Sequence, residues 1–116
     1  MEQLMTIHRT QVRGFVVVQV RGEVEALTAG RLGDAVTEAL GDGRPVVLDL
    51  TDVRFLDSAG LETLVRVTEN SELRRGEPLR IAVDQNRPVV RPIQITGLEE
   101  RLALYDSVED ATSTTA

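Results

Sequence analysis

Apolar positions in the first third of the chain change from a strand period to a helical one. The run "FVVVQV" at residues 15–20 is rich in β-branched residues, which favour strands, and residues 4–9 alternate more weakly before it. The pair Arg13-Gly14 between them is typical of a turn. From Thr28 to Leu40 the apolar residues recur at helical spacing. The pattern therefore predicts a hairpin followed by a helix with Thr28 as its N-cap.

The middle of the chain contains a short continuous apolar run, "VVLDL" at residues 46–50. Such a run is typical of a strand buried on both faces, so we expect it to be the central strand. Residues up to Phe55 are predicted to form a loop, after which the helical period resumes and continues toward Gly76. This second helix is predicted to begin near Ala59, with Ser58 as its N-cap.

The last third repeats the same alternation with shorter segments. "LRIAV" at residues 79–83 predicts a strand. Asn86 as an N-cap, with prolines at either end, predicts a short helix that ends at Gly97. "LALYDS" predicts a final strand. Ser107 and Asp110 resemble a capping box that opens one more helical turn.

Strands that alternate with helices imply parallel pairing through right-handed crossovers, and the initial hairpin adds an antiparallel pair. The predicted fold class is α/β: a single domain with a mixed β-sheet of four to five strands and α-helices packed against it. We expect residues 1–111 to form this domain. The polar residues 112–116 are expected to be a disordered tail.

Composition narrows the possible functions of this domain. The formal charge of -6 would repel phosphate backbones, so no nucleic-acid partner is expected. All 13 basic residues are arginines, and without lysine the chain has no Schiff-base amine. Cysteine is also missing, which excludes thiolate chemistry and suits a reducing compartment. With no signal sequence or membrane span in the sequence, we expect a cytoplasmic protein without a membrane partner.

The stretch "DSAG" at residues 57–60 places a hydroxyl where a strand should pass into a helix. A cap is the structural interpretation of Ser58. The functional interpretation is that Ala59 and Gly60 add little bulk, so another protein's active site can approach the hydroxyl. A phosphoryl group on Ser58 would meet the positive end of the helix but would also lie beside Asp57.

Enzyme chemistry fits this sequence poorly. The lone histidine, His8, lies in the first predicted strand, and Ser58 is not in a Gly-x-Ser-x-Gly elbow. We therefore expect no catalytic residue, no cofactor and no metal. Arg54, Arg87 and Arg91 could face a phosphate, but solvated positions are the simpler expectation.

Three aspartates near the end of the central strand offer an alternative. Asp49, Asp52 and Asp57 could form a cation site or include a phosphorylatable aspartate, as in a response-regulator receiver. A receiver would also need an acidic pair at the end of its first strand and a later lysine, and this chain has neither. Solvated acids are the simpler interpretation.

Three segments together carry a family resemblance: "GEVEALTAGRL", "VVLDLTDVRFLDSAGLETLV" and "VVRPIQITGL". In their order and spacing they resemble the anti-sigma factor antagonists, the free-standing STAS domains of bacteria. The resemblance implies a protein that captures an anti-sigma factor with serine kinase activity when unphosphorylated, which frees a sigma factor. Ser58 matches the phosphorylated serine of the family, and a serine phosphatase would reverse the modification.

The resemblance also implies a partner-binding set: Glu23, Glu25, Asp57, Ser58, Ala59 and Gly60. Glu25 stands where the family's Gly-Glu-x-Asp pattern has aspartate, and Ala59 replaces a second serine. We expect a monomer when the protein is free. A scaffold or sensor subunit of a signalling assembly, or an accessory subunit of a transporter, is the alternative function within the same family.

Overall fold

The computed structural model describes residues 4–113, in which strands and helices alternate along the chain. The elements are β1 (Met5–Val12), β2 (Phe15–Val24), α1 (Ala29–Leu40), β3 (Val46–Leu56), α2 (Ser58–Arg75), β4 (Arg80–Ala82), α3 (Arg87–Ile95), β5 (Ala103–Tyr105) and α4 (Val108–Thr112). A short 3-10 turn, Leu98–Glu100, lies between α3 and β5. No helix within residues 4–113 is long and apolar enough to cross a membrane.

The five strands form one mixed sheet in the order β1-β2-β3-β4-β5. The pair β1 and β2 is antiparallel, and every later pair is parallel. The predicted hairpin, the central position of "VVLDL" and the α/β class are therefore confirmed. Helices α1, α2 and α3 connect the strands of the parallel pairs, as expected for strands separated by helices.

The sheet has a core on each face. Val46, Leu48 and Leu50 of β3 belong to the larger core, which also contains the buried residues of α1, α2 and α3. Val47 belongs to a smaller core on the other face, closed by Ala111 of α4. This burial on both faces explains why the run has no polar alternation.

Strand β3 extends further than the apolar run that predicted it. Its second half, to Leu56, pairs with the end of β2 through two shifts of register, so that Gly22 lies opposite Val53 and Val24 opposite Leu56. The prediction of a loop through Phe55 is therefore wrong. Strand pairing with β2 overrides the polar residues of this segment, whose side chains alternate toward solvent.

The C-terminal turn begins as predicted, because the Asp110 N–H donates to the Ser107 hydroxyl oxygen at 3.0 Å. Thr112 is the last residue of α4 and is 5% exposed, so it belongs to the packed unit. Residues 114–116 lie outside the described residues, and the disordered tail stays a prediction there.

Candidate functional site

The start of α2 assigns the capping and hydroxyl roles to different residues. Asp57 is the N-cap, and its Oδ1 accepts the Gly60 N–H at 3.1 Å. The prediction that Ser58 is the cap is wrong, because β3 continues to Leu56 and the chain turns into the helix one residue earlier than expected. Because no loop separates β3 from α2 except Asp57, this residue occupies the N-cap position.

Ser58 is consequently the first helical residue, and it is exposed. Its hydroxyl forms no hydrogen bond with any of residues 4–113. The free amides and positive end of the helix lie beside it, and the first turn of α2 contains no acidic residue. The hydroxyl is therefore available to another protein, and the helix end favours an anion there apart from the neighbouring Asp57 carboxylate.

Gly60 is buried and does not open a path to Ser58. A Cβ at Gly60 would lie 2.4 Å from Leu56 Cδ1 and 3.0 Å from Val24 Cγ1. The glycine therefore allows the first turn of α2 to pack on the ends of β2 and β3. Ala59 is half-buried and also packs against the core. The prediction that these two small residues leave an open approach is wrong for Gly60.

The two glutamates of the predicted set lie at the same end of the strands as Ser58. The Asp57 N–H donates to the Val24 carbonyl at 3.1 Å, and Glu23 and Glu25 flank Val24 in sequence. This hydrogen bond joins the end of β2 to the start of α2. Residues that are more than thirty positions apart in sequence are thereby brought into one surface.

Each glutamate has a contact of its own. Glu23 Oε2 lies 3.8 Å from Arg54 Nε in an exposed ion pair. Glu25 Oε1 accepts the Leu27 N–H at 2.8 Å, so this carboxylate folds back over its own loop. One carboxylate oxygen of Glu25 therefore stabilises the turn that contains Leu27.

Thr28 has a different function from the predicted N-cap. Its side chain makes no cap hydrogen bond to α1. Its hydroxyl instead donates to the Glu23 carbonyl at 2.7 Å and accepts the Glu25 N–H at 3.0 Å. Thr28 therefore fixes the loop that carries both glutamates. The sequence signal for this role is a threonine three residues after a turn residue, which is typical of side-chain-closed turns.

Apolar surface surrounds Ser58, and sequence reasoning did not locate it. Leu27, in the same loop as Glu25, is 80% exposed. Ser58 also borders a shallow depression of about 500 Å³ between α2 and the segment after α3, where Leu61, Val65 and Leu98 supply most of the apolar lining. We call Glu23, Glu25, Leu27, Asp57 and Ser58 together the Ser58 surface.

The three aspartates of the alternative site do not come together. Asp49 is buried within β3, where its Oδ1 accepts hydrogen bonds from the N–H and hydroxyl of Thr51 at 2.9 and 2.7 Å. Asp52 lies 3.5 Å from Arg21 in an exposed ion pair, and Asp57 caps α2. No group of metal-ligating side chains occurs within residues 4–113. The alternative of a cation site or receiver is therefore not supported, and the expectation of solvated acids holds for Asp52 but is wrong for Asp49, which is 6% exposed.

The arrangement is suited to recognition by another protein. One end of β2 and β3 carries the exposed Ser58 hydroxyl, two glutamates and an exposed leucine. His8 is exposed on β1, on the far side of β2 from this end. No general base contacts Ser58 among the described residues, so the hydroxyl has the features of an acceptor for chemistry supplied elsewhere. The chain is a small α/β domain with an exposed serine hydroxyl and two glutamates at one end of β2 and β3.

A family model described as the STAS domain matches residues 6–111, so the chain belongs to the STAS domain family. It is 30% identical over 109 residues to the anti-sigma-F factor antagonist RsfB of Mycobacterium tuberculosis, covering 92% of this chain and 86% of that protein. It is 28% identical over 101 residues to the anti-sigma F factor antagonist of Paenibacillus polymyxa, covering 85% of each.

A comparison with solved structures also matches this chain to an anti-sigma factor antagonist. The crystal structure of an anti-sigma factor antagonist from Mycobacterium paratuberculosis superposes with a TM-score of 0.83 at 32% sequence identity, covering 94% of this chain and 92% of that chain. The family resemblance and the mixed-sheet fold predicted from the sequence are confirmed.

Proposed function

We propose that this protein is an anti-sigma factor antagonist that captures an anti-sigma factor through the Ser58 surface. The relatives named as antagonists support this function across nearly the full chain. The observation that carries the assignment of the surface is the free, exposed hydroxyl of Ser58 beside the loop of Glu23 and Glu25. Binding, not catalysis, is the proposed activity, and it operates in the cytoplasm where transcription occurs.

Phosphorylation of Ser58 is the proposed switch. The anti-sigma factor supplies serine kinase activity: the Ser58 oxygen forms a bond to the γ-phosphorus of ATP, ADP leaves, and the hydroxyl proton passes to a base of the kinase. A serine phosphatase hydrolyses the phosphoserine and restores capture. Because the Ser58 hydroxyl does not cap α2, its modification removes no hydrogen bond from the fold.

Charge repulsion gives the switch its magnitude. Phosphate adds roughly -1.5 to -2 charges at neutral pH, next to the Asp57 carboxylate and on the same surface as both glutamates. Where binding brings the phosphate to about 6 Å from a carboxylate of the anti-sigma factor, this pair of like charges costs roughly 3 kcal/mol at an effective dielectric constant of about 20. We therefore expect phosphorylation to weaken capture by about a hundredfold.

The phosphosite is tested by incubating the protein with the anti-sigma kinase and ATP, followed by phosphopeptide mapping. Ser58→Ala should abolish incorporation, and Ser113→Ala, which removes an exposed hydroxyl at the far end of the chain, should not change it. Equal incorporation into wild type and Ser58→Ala would contradict the assignment.

The binding consequence is tested with purified phosphoprotein in a direct affinity measurement against the anti-sigma factor. Ser58→Ala should bind like the unmodified protein, whereas the phosphoprotein should bind about a hundredfold more weakly with an unchanged circular dichroism spectrum. Equal affinity of both forms would exclude the repulsion mechanism. Co-purification with a membrane complex in place of an anti-sigma factor would instead support the accessory-subunit function.

A further inference from the structure

A second apolar groove lies between the end of β3 and helix α3. It has a volume of about 390 Å³, and its lining shares no residue with the Ser58 surface. Phe55 and Ile95 are large apolar residues in its wall and are 49% and 72% exposed. The other lining residues are Leu56, Arg87, Pro88, Arg91 and Pro92.

The two arginines of the groove have no partner in the described part of the chain. Neither Arg87 nor Arg91 forms a hydrogen bond or an ion pair with any of residues 4–113. Among the arginines of this acidic chain, only Arg44 shares this property, and each of the others has a hydrogen bond, an ion pair or a ring contact. Unpaired positive charge is therefore concentrated at one apolar groove.

Local energetics do not explain why these arginines are there. Arg87 and Arg91 are four residues apart on α3, so their like charges face each other and disfavour the helix. Arg87 is also the first residue of α3, where the helix dipole disfavours positive charge, and the first turn contains no acidic residue. Asn86 occupies the predicted N-cap position of α3, but its side chain makes no cap hydrogen bond, and its amide donates instead to the Leu50 and Val53 carbonyls of β3.

The ridge formed by Arg87, Arg91 and Ile95 has a repeat of four residues, so charge and apolar surface follow one line along the helix. Pro88 and Pro92 form the neighbouring ridge at the same spacing, and their rings keep this wall of the groove rigid. A rigid apolar groove with positive charges along one side matches a segment that has apolar residues on one face and carboxylates beside them.

We propose that this groove docks an acidic amphipathic segment of a partner protein. The apolar side chains of the segment cover Phe55 and Ile95, and its carboxylates pair with Arg87 and Arg91. The net charge of -6 would repel such a segment from the rest of the surface, so these two arginines determine where it binds. The proposal is independent of phosphorylation at Ser58, which lies outside the groove.

The test uses a fluorescein-labelled peptide with leucine at every third or fourth position and glutamate between, and a second peptide with glutamine in place of glutamate. Fluorescence anisotropy with the full chain should show tighter binding of the glutamate peptide, weakened by salt. Arg87→Gln/Arg91→Gln should weaken it by about tenfold. Arg44→Glu, which lowers the net charge of the protein by the same amount, should leave affinity unchanged.

A second pair of variants tests the apolar half of the groove. Ile95→Ser should weaken binding of the glutamate peptide by about fivefold, whereas Leu73→Ser, at another highly exposed apolar residue, should not. Equal binding of both peptides, or equal loss in the Arg44 variant, would overturn the proposal. Self-association that Ile95→Ser abolishes would overturn it as well, because the groove would then hold a second copy.

Discussion

Asp57 and Ser58 are adjacent residues with similar capping propensities, and the structure uses them for different purposes. Asp57 accepts the Gly60 N–H and stabilises the start of α2, while Ser58 leaves its hydroxyl in solvent. Phosphorylation of Ser58 therefore leaves the cap hydrogen bond of Asp57 in place. The division therefore separates stability from the proposed switch.

This division predicts unequal effects of two alanine substitutions. Asp57→Ala should lower the free energy of unfolding by about 1 kcal/mol because an N-cap is lost. Ser58→Ala should change it by less than about 0.5 kcal/mol because no hydrogen bond within residues 4–113 is removed. Urea denaturation of both variants provides the measurement. A larger loss in Ser58→Ala than in Asp57→Ala would contradict the observed cap.

At the scale of elements, Gly60 decides how closely α2 approaches the sheet. Its backbone packs against the side chains of Leu56 and Val24, at the point where β3, α2 and the glutamate loop meet. Glycine is needed here because the helix backbone lies close to Leu56 and Val24. Gly60 does not have a positive φ. The proposed binding surface therefore depends on a residue that does not face the partner.

Gly60→Ala should destabilise the protein by about 1 to 3 kcal/mol, because the added methyl group overpacks against Leu56 and Val24. The matched control is Gly30→Ala in the first turn of α1, where a Cβ meets nothing within 4 Å. That change should leave stability unchanged or raise it by up to about 1 kcal/mol. Thermal and urea unfolding distinguish the two, and equal stability of both variants would refute the packing role.

Helix α4 has only five residues and is held to the sheet by Arg80. The buried guanidinium donates to the Ala111 carbonyl at 2.7 Å, and it lies over the rings of Phe15 and Tyr105 at 5.1 and 5.8 Å. This short helix closes the smaller core through Ala111, which packs with Phe15, Val17, Val47 and Ala82.

We expect Arg80→Met to lower the free energy of unfolding by about 2 kcal/mol, since it removes a charged hydrogen-bond donor and the cation–π contacts but keeps an apolar stem. Arg44→Met, at an exposed arginine without a hydrogen bond or ion pair to residues 4–113, should change it by less than about 0.5 kcal/mol. In Arg80→Met, amide hydrogen exchange in α4 should become faster than in the wild type, and exchange in α1 should change less. Unchanged exchange in α4 would show that Arg80 does not hold the helix.

At the scale of the whole molecule, the sheet has two free edges that differ in length. Strand β5 has three residues, and β1 has eight, among which His8, Arg9, Thr10 and Gln11 are exposed. A very short strand and a polar, charged strand are both poor templates for pairing with another chain. Of the large exposed apolar residues within residues 4–113, Phe55 and Ile95 share the groove beside α3, and the others lie on separate segments.

These edges predict a monomer when the protein is free. Sedimentation velocity at increasing concentration should show one species at the mass of a single chain, and phosphorylation of Ser58 should leave the sedimentation coefficient unchanged. The physical reason is that neither sheet edge offers a long apolar strand for dimerisation. A dimer that persists on dilution would contradict this prediction.

The order of elements followed from local patterns because each pattern records burial along its own segment. The β-branched run of β2, the continuous apolar run of β3 and the helical spacing of α1 identified these elements correctly. The predicted cap at Ser58 failed because the end of β3 is set by hydrogen bonds to β2, far away in sequence. The buried role of Gly60 was missed for the same reason, since its neighbours are Leu56 and Val24.

The sequence by itself determined the α/β class, the hairpin, the central strand and the serine at the start of α2, because periodicity, turn residues and a family motif are local properties. Only the tertiary structure decided which residue caps the helix, which side chains share the surface with Ser58, and which arginines are left unpaired. Those properties depend on contacts such as the hydrogen bond from Asp57 to Val24, which join distant segments and leave no periodic trace in the chain.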